Sequence, residues 1–226
     1  MAWTQLPEQV TLKFETPTPK PVVLKTDKAA LVIVDMQNRF CKRDLNGRCN
    51  AVIEGNARLL QKARDAGVKV IFIQSTRLPD APEFTRYGLE PMLIEGTWDW
   101  EIVEELTPLP GEIVMRKYSH DPFARTELDT ILQEEDMYPG ETTVLVTGVS
   151  AAVCAYQACL GFSNRHYLTL IPMDCQAAST IEDEARAFNK YSENTFGFTL
   201  STMVHFSPGG MDTRELVGAG IPVGRY

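Results

Sequence analysis

Val144-Leu-Val-Thr-Gly-Val-Ser-Ala-Ala-Val-Cys154 joins an apolar run to a glycine, to small residues and then to a cysteine. Apolar residues continue with helical spacing through Phe162. The stretch predicts a buried strand, a tight turn and a helix that begins near the cysteine. Unpaired N–H groups and the helix dipole favour a thiolate at such a position. The same N–H groups can receive an oxyanion, an arrangement typical of covalent hydrolases.

The same alternation of strand and helix extends along the chain. Apolar runs predict strands at Ala29–Val34 and at residues 68–73, 112–115, 143–147 and 167–171, with a last strand within 198–204. Helical patterns cover residues 53–67, 102–106, 123–132, 151–162 and 181–191. The order predicts an α/β fold, a three-layer α/β/α sandwich with a mainly parallel, Rossmann-like sheet. Residues 75–98 are long, irregular and rich in proline and charge, which is typical of a functional loop.

Composition limits the possible classes of protein. The chain has 226 residues, of which 44% are hydrophobic, so we expect a single domain over 29–226. Residues 1–28 are polar and proline-rich and predict an extended N-terminal arm. A net charge of -8 argues against a nucleic-acid partner. The longest apolar runs are too short for a membrane span, and the N-terminus lacks a signal-peptide pattern, so we expect a cytoplasmic location.

The cysteines and histidines do not predict a disulfide framework or a metal site. Five cysteines are scattered along the chain, and an odd number favours reduced thiols. The three histidines are far apart in sequence, and none has the spacing of a metal-ligand pair. We therefore expect neither a metal nor a cofactor.

Three polar residues follow predicted strands: Asp35, Lys117 and Cys154. Ligands of parallel α/β sheets bind at the carboxyl ends of the strands, so these side chains are candidates for one active site. Asp35 would act as the general base and return the proton to the leaving amine, and Lys117 would steady the developing charge. Cys154 would form a thioester that water hydrolyses. The backbone N–H groups of Ser150 and Cys154 would bind the oxyanion.

Each of these residues taken alone has an ordinary structural interpretation. An aspartate after a strand often caps a helix or holds a loop, and a lone lysine is usually a surface residue. A lone cysteine in an apolar segment is usually a small core residue. Their common position at strand ends favours the catalytic interpretation.

The segments around these residues resemble the isochorismatase-like cysteine hydrolases. The matching segments are Ala30-Leu-Val-Ile-Val-Asp-Met-Gln-Asn-Arg-Phe40, Lys117 with Phe123, Thr126 and Leu128, Gly148-Val-Ser-Ala-Ala-Val-Cys154, and Asp174. The resemblance extends from about residue 28 to residue 204. It implies the three-layer fold, the Asp35–Lys117–Cys154 triad and a cis peptide bond between Val149 and Ser150. It also implies a homodimer or homotetramer.

Within that family, a cysteine at the nucleophile position implies an amidohydrolase that releases ammonia from a small carboxamide or ureide. The metal-binding Asp-x-His set of nicotinamidases is absent from residues 75–80. Two alternatives stay open, namely a vinyl-ether hydrolase of the isochorismatase type and a non-catalytic member that retains the fold. Alanine at 151 and 152, where the family usually has polar residues, keeps the second alternative open.

Substrate contacts are expected from side chains near the strand ends. The candidates are Phe40, Trp98, Tyr118, His120, Phe123 and Val149. Basic groups that could bind a carboxylate of the substrate are Arg77, Arg86, Arg116, His120 and Arg125.

Overall fold

A computed structural model describes residues 15–194 and 196–222, and its centre is a seven-stranded parallel sheet. The strands are β1 Val22–Lys25, β2 Ala29–Val34, β3 Lys69–Ser75, β4 Ile113–Lys117, β5 Thr143–Val149, β6 Leu168–Pro172, β7 Gln176–Ala177, β8 Gly197–Thr199 and β9 Val204–Ser207. The α-helices are α1 Arg48–Ala51, α2 Ile53–Ala66, α3 Pro82–Thr85, α4 Leu128–Glu134, α5 Cys154–Ser163, α6 Ile181–Glu193 and α7 Thr213–Gly218. Short 3-10 turns lie at Thr26–Lys28, Leu45–Gly47, Glu104–Leu106 and Met173–Cys175, and a π turn spans Arg39–Arg43.

The order of the main sheet is β4-β3-β2-β5-β6-β8, and β7 pairs with the end of β5 beyond β6. All of its strand pairs are parallel. β2 and β5 are the central strands, and every residue of both is buried. The carboxyl ends of β2, β3, β4 and β5 therefore meet at one edge of the sheet.

The two faces of β2 show why the helices cover both sides of the sheet. Leu31 and Ile33 join one apolar core with Leu59 and Leu60 of α2. Val32 joins the other core, which includes residues of α4, α5 and α6. Alternate residues of a strand point to opposite faces, so a continuous apolar run requires a helix layer on each side. The predicted three-layer α/β/α architecture is confirmed.

Part of the predicted N-terminal arm packs onto the domain. β1 is an extended strand that pairs in parallel with β9 in a separate two-stranded sheet. Val22 and Leu24 are buried in the same core as α2. Residues 1–14 of the arm lie outside the described residues, and the division of the chain at residue 28 stays a prediction.

Three predicted elements differ from the structure. The helix expected over 102–106 is a 3-10 turn at Glu104–Leu106. The helix expected over 123–132 begins only at Leu128, because the preceding segment turns. The side chain of Asp121 accepts a hydrogen bond from the Phe123 N–H, and Arg125 has a left-handed backbone with φ of 59°. The single strand expected within 198–204 is two strands, β8 and β9, which belong to different sheets.

The expectation of five free thiols is corrected by a disulfide between Cys41 and Cys49. The turn between the π segment and α1 brings their Cα atoms within 4.5 Å of each other. The two cysteines are eight positions apart in sequence, and nothing in this spacing alone indicated the pairing. Cys154, Cys159 and Cys175 are free and buried.

Over the described ranges, no helix is long and apolar enough to span a lipid bilayer.

Gly148, near the end of β5, allows the backbone of β5 to lie close to that of β2 just before the nucleophile turn. Its φ of +101° is a conformation that L side chains rarely adopt. A Cβ atom at this position would lie 2.0 Å from the backbone oxygen of Val34 in β2. Both constraints require glycine where β2 and β5 run side by side.

We expect Gly148→Ala to lower the free energy of unfolding by about 2 to 5 kcal/mol, since it combines left-handed strain with a backbone clash. Urea denaturation measures this change. The matched control is Gly111→Ala, where φ is +90° but no atom lies within 4 Å of the added Cβ. That variant should lose only about 1 to 2 kcal/mol. Equal losses in the two variants would contradict the close approach of β2 and β5.

Candidate active site

The register of the sheet brings the predicted site residues together. Lys117 ends β4 and pairs with Ser75, which ends β3. Asp35 follows β2 directly, and its backbone N–H donates to the carbonyl of Ile73 in β3. Cys154 begins α5, five residues after the end of β5. These side chains share one site because their strands are neighbours in the sheet.

Asp35 and Lys117 form a buried ion pair at this edge. Lys117 Nζ lies 2.8 Å from Asp35 Oδ2, and the side chains are 0% and 1% exposed. Lys117 also donates to Ser75 Oγ at 2.7 Å and to the carbonyl of Ser119 at 3.1 Å. The other carboxylate oxygen, Oδ1, accepts from the Ser75 N–H at 3.0 Å. Both charges therefore have hydrogen-bond partners that offset part of the cost of burial.

Ser75 and Gln37 are site residues that the sequence reasoning missed. The amide oxygen of Gln37 accepts from the Ser75 N–H, and its amide nitrogen donates to the carbonyls of Ser75 and Trp100. Gln37 is fully buried. Both residues could have been found from their positions near the predicted site. Gln37 lies two residues after Asp35, and Ser75 ends the strand beside Lys117.

The thiol of Cys154 is buried beside this pair, with 7% of the residue exposed. Burial raises the pKa of Cys154 to about 12, the negative charge of Asp35 adds to the rise, and the positive charge of Lys117 opposes it. The sequence predicted a thiolate stabilised by the helix N-terminus. The structure instead favours a neutral thiol at pH 7, because the desolvation penalty outweighs the favourable charges.

In the described part of the chain, the nucleophile turn presents two N–H groups without a backbone acceptor. Among the described residues, neither the Ser150 nor the Cys154 N–H donates to another backbone group. The peptide bond between Val149 and Ser150 is cis. The turn is held from outside by the phenol of Tyr191, which lies 2.7 Å from the carbonyl of Ala151. N–H groups without a backbone acceptor are free to donate to an oxyanion.

His120 also contacts the sulfur. Its Nδ1 lies 3.4 Å from Cys154 Sγ. Burial lowers the pKa of His120, the positive charges of Lys117 and Arg77 add to this effect, and Asp35 opposes it. These effects favour the neutral imidazole.

The remaining predicted substrate contacts lie in varied surroundings. Val149 is fully buried, and Phe40 packs at the edge of the same core. Phe123 packs edge-to-face on Phe162 with ring centroids 5.0 Å apart. Trp98 and Tyr118 are about half exposed. Within the described part of the chain, His120 is the one predicted substrate contact with a polar contact to Cys154, and the others stay predictions.

Two of the predicted carboxylate-binding arginines already have acidic partners. Arg77 pairs with Glu83 at 2.9 Å. Arg116 pairs with Glu95 and lies over the ring of Trp100. Their charges are partly neutralised within the chain.

The long loop after residue 75 contacts residues near Asp35 through the segment around Trp98 and Trp100. The side chain of Asn38 donates to the carbonyl of Trp98, and Gln74 donates to the carbonyl of Trp100. Trp98 and Trp100 line an open cavity of about 790 Å³ together with acidic residues. That cavity is not lined by Cys154. The segment around Trp98 therefore braces the Asp35 loop.

Across the described ranges, no group of three or more His, Cys, Asp or Glu side chains is arranged to hold a metal ion.

Fold and site together define a three-layer α/β protein with a buried aspartate–lysine pair beside a cysteine. The sequence pattern of the isochorismatase domain matches residues 29–203. The chain belongs to the isochorismatase family, as the sequence motifs predicted.

Relatives and solved structures agree with this family. The chain is 32% identical over 183 residues to a ureidoacrylate amidohydrolase of Methylorubrum extorquens, covering 69% of this chain and 72% of that protein. An isochorismatase family protein of Desulfovibrio vulgaris superposes with a TM-score of 0.69 at 25% identity, covering 77% and 95% of the two chains. N-carbamoylsarcosine amidase of Thermoplasma acidophilum shares the fold with a TM-score of 0.63 at 24% identity, covering 77% and 96%.

The charge of Asp35 should slow the reaction of Cys154 with alkylating reagents in the free protein. Asp35→Asn removes a negative charge that raises the pKa of Cys154, so alkylation by iodoacetamide at pH 8 should become about tenfold faster or more. In the wild-type protein, the rate of alkylation of Cys154 should keep rising with pH towards about pH 12. Mass spectrometry of the peptide that contains Cys154 measures both rates.

The control is Asp65→Asn, which removes an exposed carboxylate that accepts from Gln61 within α2. It should leave the alkylation rate unchanged. An equal rate in Asp35→Asn would show that the charge of the carboxylate does not suppress the thiolate, and a slower rate would show that its action as a base outweighs that charge.

Proposed function

We propose that this protein is a cysteine-dependent amidohydrolase that cleaves the C–N bond of a small ureide or carboxamide and releases ammonia. The observation that carries the proposal is the buried pair of Asp35 and Lys117, 2.8 Å apart, beside the thiol of Cys154. Such a pair offers a carboxylate that can accept the thiol proton and a fixed positive charge that steadies the anions of the reaction.

The first half of the reaction forms the thioester. Asp35 takes the proton of Cys154 while Sγ bonds to the substrate carbonyl carbon. The oxyanion that forms accepts from the N–H groups of Ser150 and Cys154. The protonated Asp35 then gives its proton to the nitrogen as the C–N bond breaks, and the amine or ammonia leaves.

The second half hydrolyses the thioester. Asp35 accepts a proton from water as the water oxygen attacks the carbonyl carbon. Collapse of the tetrahedral adduct breaks the C–S bond, and the proton on Asp35 returns to the sulfur. Lys117 keeps an ion pair with Asp35 and donates hydrogen bonds to Ser75 Oγ and the carbonyl of Ser119, which supports a fixed electrostatic role rather than proton transfer.

The named relatives support the class of substrate. Ureidoacrylate amidohydrolases of Methylorubrum extorquens and Pseudomonas syringae match this chain, the latter at 28% identity over 242 residues, 93% of this chain and 96% of that protein. Their name indicates a carbamoyl C–N bond, so ureides come first among candidate substrates. The burial of the thiol favours small substrates that can enter a confined site.

Ammonia release from a panel of small amides and ureides tests the proposal. The panel contains ureidoacrylate, N-carbamoyl amino acids, maleamate, biuret and nicotinamide. We expect ammonia from at least one ureide, and we expect Cys154→Ala to bind that substrate but lower kcat by about a thousandfold or more, since the covalent step is lost.

Cys159→Ala is the matched control, because it removes another buried thiol from the same helix without touching the ion pair. It should retain most of the turnover. Turnover that survives in folded Cys154→Ala would contradict the covalent route and favour ether hydrolysis of the isochorismatase type. If the folded wild-type protein released no ammonia from any amide or ureide of the panel, the proposed substrate class would be contradicted.

A further inference from the structure

His120 faces the sulfur from the loop that follows β4. Its Nδ1 lies 3.4 Å from Cys154 Sγ. The loop is fixed close by, because the neighbouring carbonyl of Ser119 accepts a hydrogen bond from Lys117 Nζ at 3.1 Å. The residue that forms the buried ion pair therefore also positions the imidazole. The imidazole is exposed, and it contacts the sulfur from a loop that this hydrogen bond holds against Lys117.

Two roles are compatible with this distance, and the surrounding charges distinguish them. If Nδ1 accepted the thiol proton, the ring would become an imidazolium. The charged groups that act on it are Lys117, Arg77 and Asp35, of which two are positive. Burial and the two cations lower the pKa of His120, while Asp35 opposes them. A neutral ring that keeps its proton is favoured, and Asp35 is the better proton acceptor.

A sulfur anion needs hydrogen-bond donors, and the N–H groups of Lys117 are largely engaged by other acceptors. The ammonium group has three N–H bonds. Asp35 Oδ2, Ser75 Oγ and the carbonyl of Ser119 lie 2.8, 2.7 and 3.1 Å from its nitrogen. Two of these N–H groups donate to Ser75 and to Ser119, so a thiolate would compete with the carboxylate of Asp35 for the third. A neutral imidazole with its proton on Nδ1 would add a donor directed at the sulfur alone.

We propose that His120 is a fourth catalytic residue, which donates an Nδ1–H hydrogen bond to Cys154 Sγ and stabilises the sulfur anion. The anion forms when Asp35 removes the thiol proton, and it forms again when the C–S bond of the thioester breaks. His120 keeps its proton throughout, so the proton balance between Asp35, sulfur, nitrogen and water is unchanged. The role in turnover rests on the proposed amidohydrolase function, whereas the contact with the sulfur does not.

The alkylation rate of Cys154 tests the contact without any substrate. His120→Phe and His120→Ala both remove the donor, although one fills the space and the other opens it. We expect iodoacetamide at pH 9 to react about tenfold more slowly with Cys154 in both variants, since hydrogen bonds to charged groups are among the stronger ones. His120→Asn places an amide N–H near the position of Nδ1 and should stay within about threefold of the wild-type rate.

The control is His205→Phe, which removes an exposed histidine of β9 far from the sulfur in sequence and in the fold. It should react at the wild-type rate. Circular dichroism and thermal melting establish that each variant is folded, and His120→Ala decides the result if His120→Phe does not fold. An unchanged rate in the folded donor-free variants would overturn the proposal.

Kinetics with a substrate from the ammonia panel distinguish stabilisation of the sulfur anion by His120 from substrate binding and from proton transfer. We expect kcat of His120→Phe to fall by about tenfold or more with KM little changed, and His120→Asn to recover most of kcat. A raised KM with unchanged kcat and unchanged alkylation would identify His120 as a substrate contact and overturn the proposal. A His120→Asn variant as slow as His120→Phe in both assays, with a shifted acidic limb of the pH profile, would identify proton transfer and overturn it as well.

Failure of this inference is distinguishable from failure of the proposed function. If the wild-type protein hydrolyses no amide or ureide, the alkylation rates still decide whether His120 stabilises the sulfur anion. If the wild-type protein is active and the donor-free variants are fully active, the amidohydrolase function stands and the role of His120 is overturned.

Discussion

The ion pair between Asp35 and Lys117 is the interaction on which the rest of the site depends. Both side chains are almost completely buried. Removing two charges from water costs several kcal/mol for each ion, and their attraction offsets this cost only with good geometry and further hydrogen bonds. Ser75 supplies a backbone donor to Asp35 and a hydroxyl acceptor to Lys117. The arrangement is poor evidence for extra stability, and the proposed catalytic role beside a thiol accounts for it better.

The parallel sheet is what makes such a pair possible. Asp35 and Lys117 are 82 positions apart in the chain, but they follow or end strands on either side of β3. Gly148 lets β5 lie against β2, so the nucleophile turn reaches the same edge. The sulfur then lies among Asp35, Lys117 and His120, and burial favours the protonated thiol. The strand ends therefore place Asp35 and Lys117 side by side, and the loop after β4 supplies the contact of His120 with the sulfur.

Much of this could be predicted from the sequence, because the signals were strong and local. The apolar run of β2 and the strand–turn–cysteine segment each predicted their element, and strand ends predicted which polar residues meet. Other features depend on tertiary context. Burial, rather than helix position, dominates the ionisation of Cys154. The contact of His120 with sulfur and the pairing of Cys41 with Cys49 arise from loop geometry that periodicity does not encode. Asp174 matched a family position, and its carboxylate accepts from the backbone and the hydroxyl of Ser201, a role that sequence alone did not reveal.

The direct test of the covalent route is a search for the acyl group on the protein during turnover. The reaction is quenched with acid within milliseconds, and the peptides are mapped by mass spectrometry. The account predicts an acyl adduct on the peptide that contains Cys154, which appears only with a hydrolysed substrate and disappears in Cys154→Ala. Turnover without any adduct, even when hydroxylamine is added to trap a thioester as a hydroxamate, would contradict it.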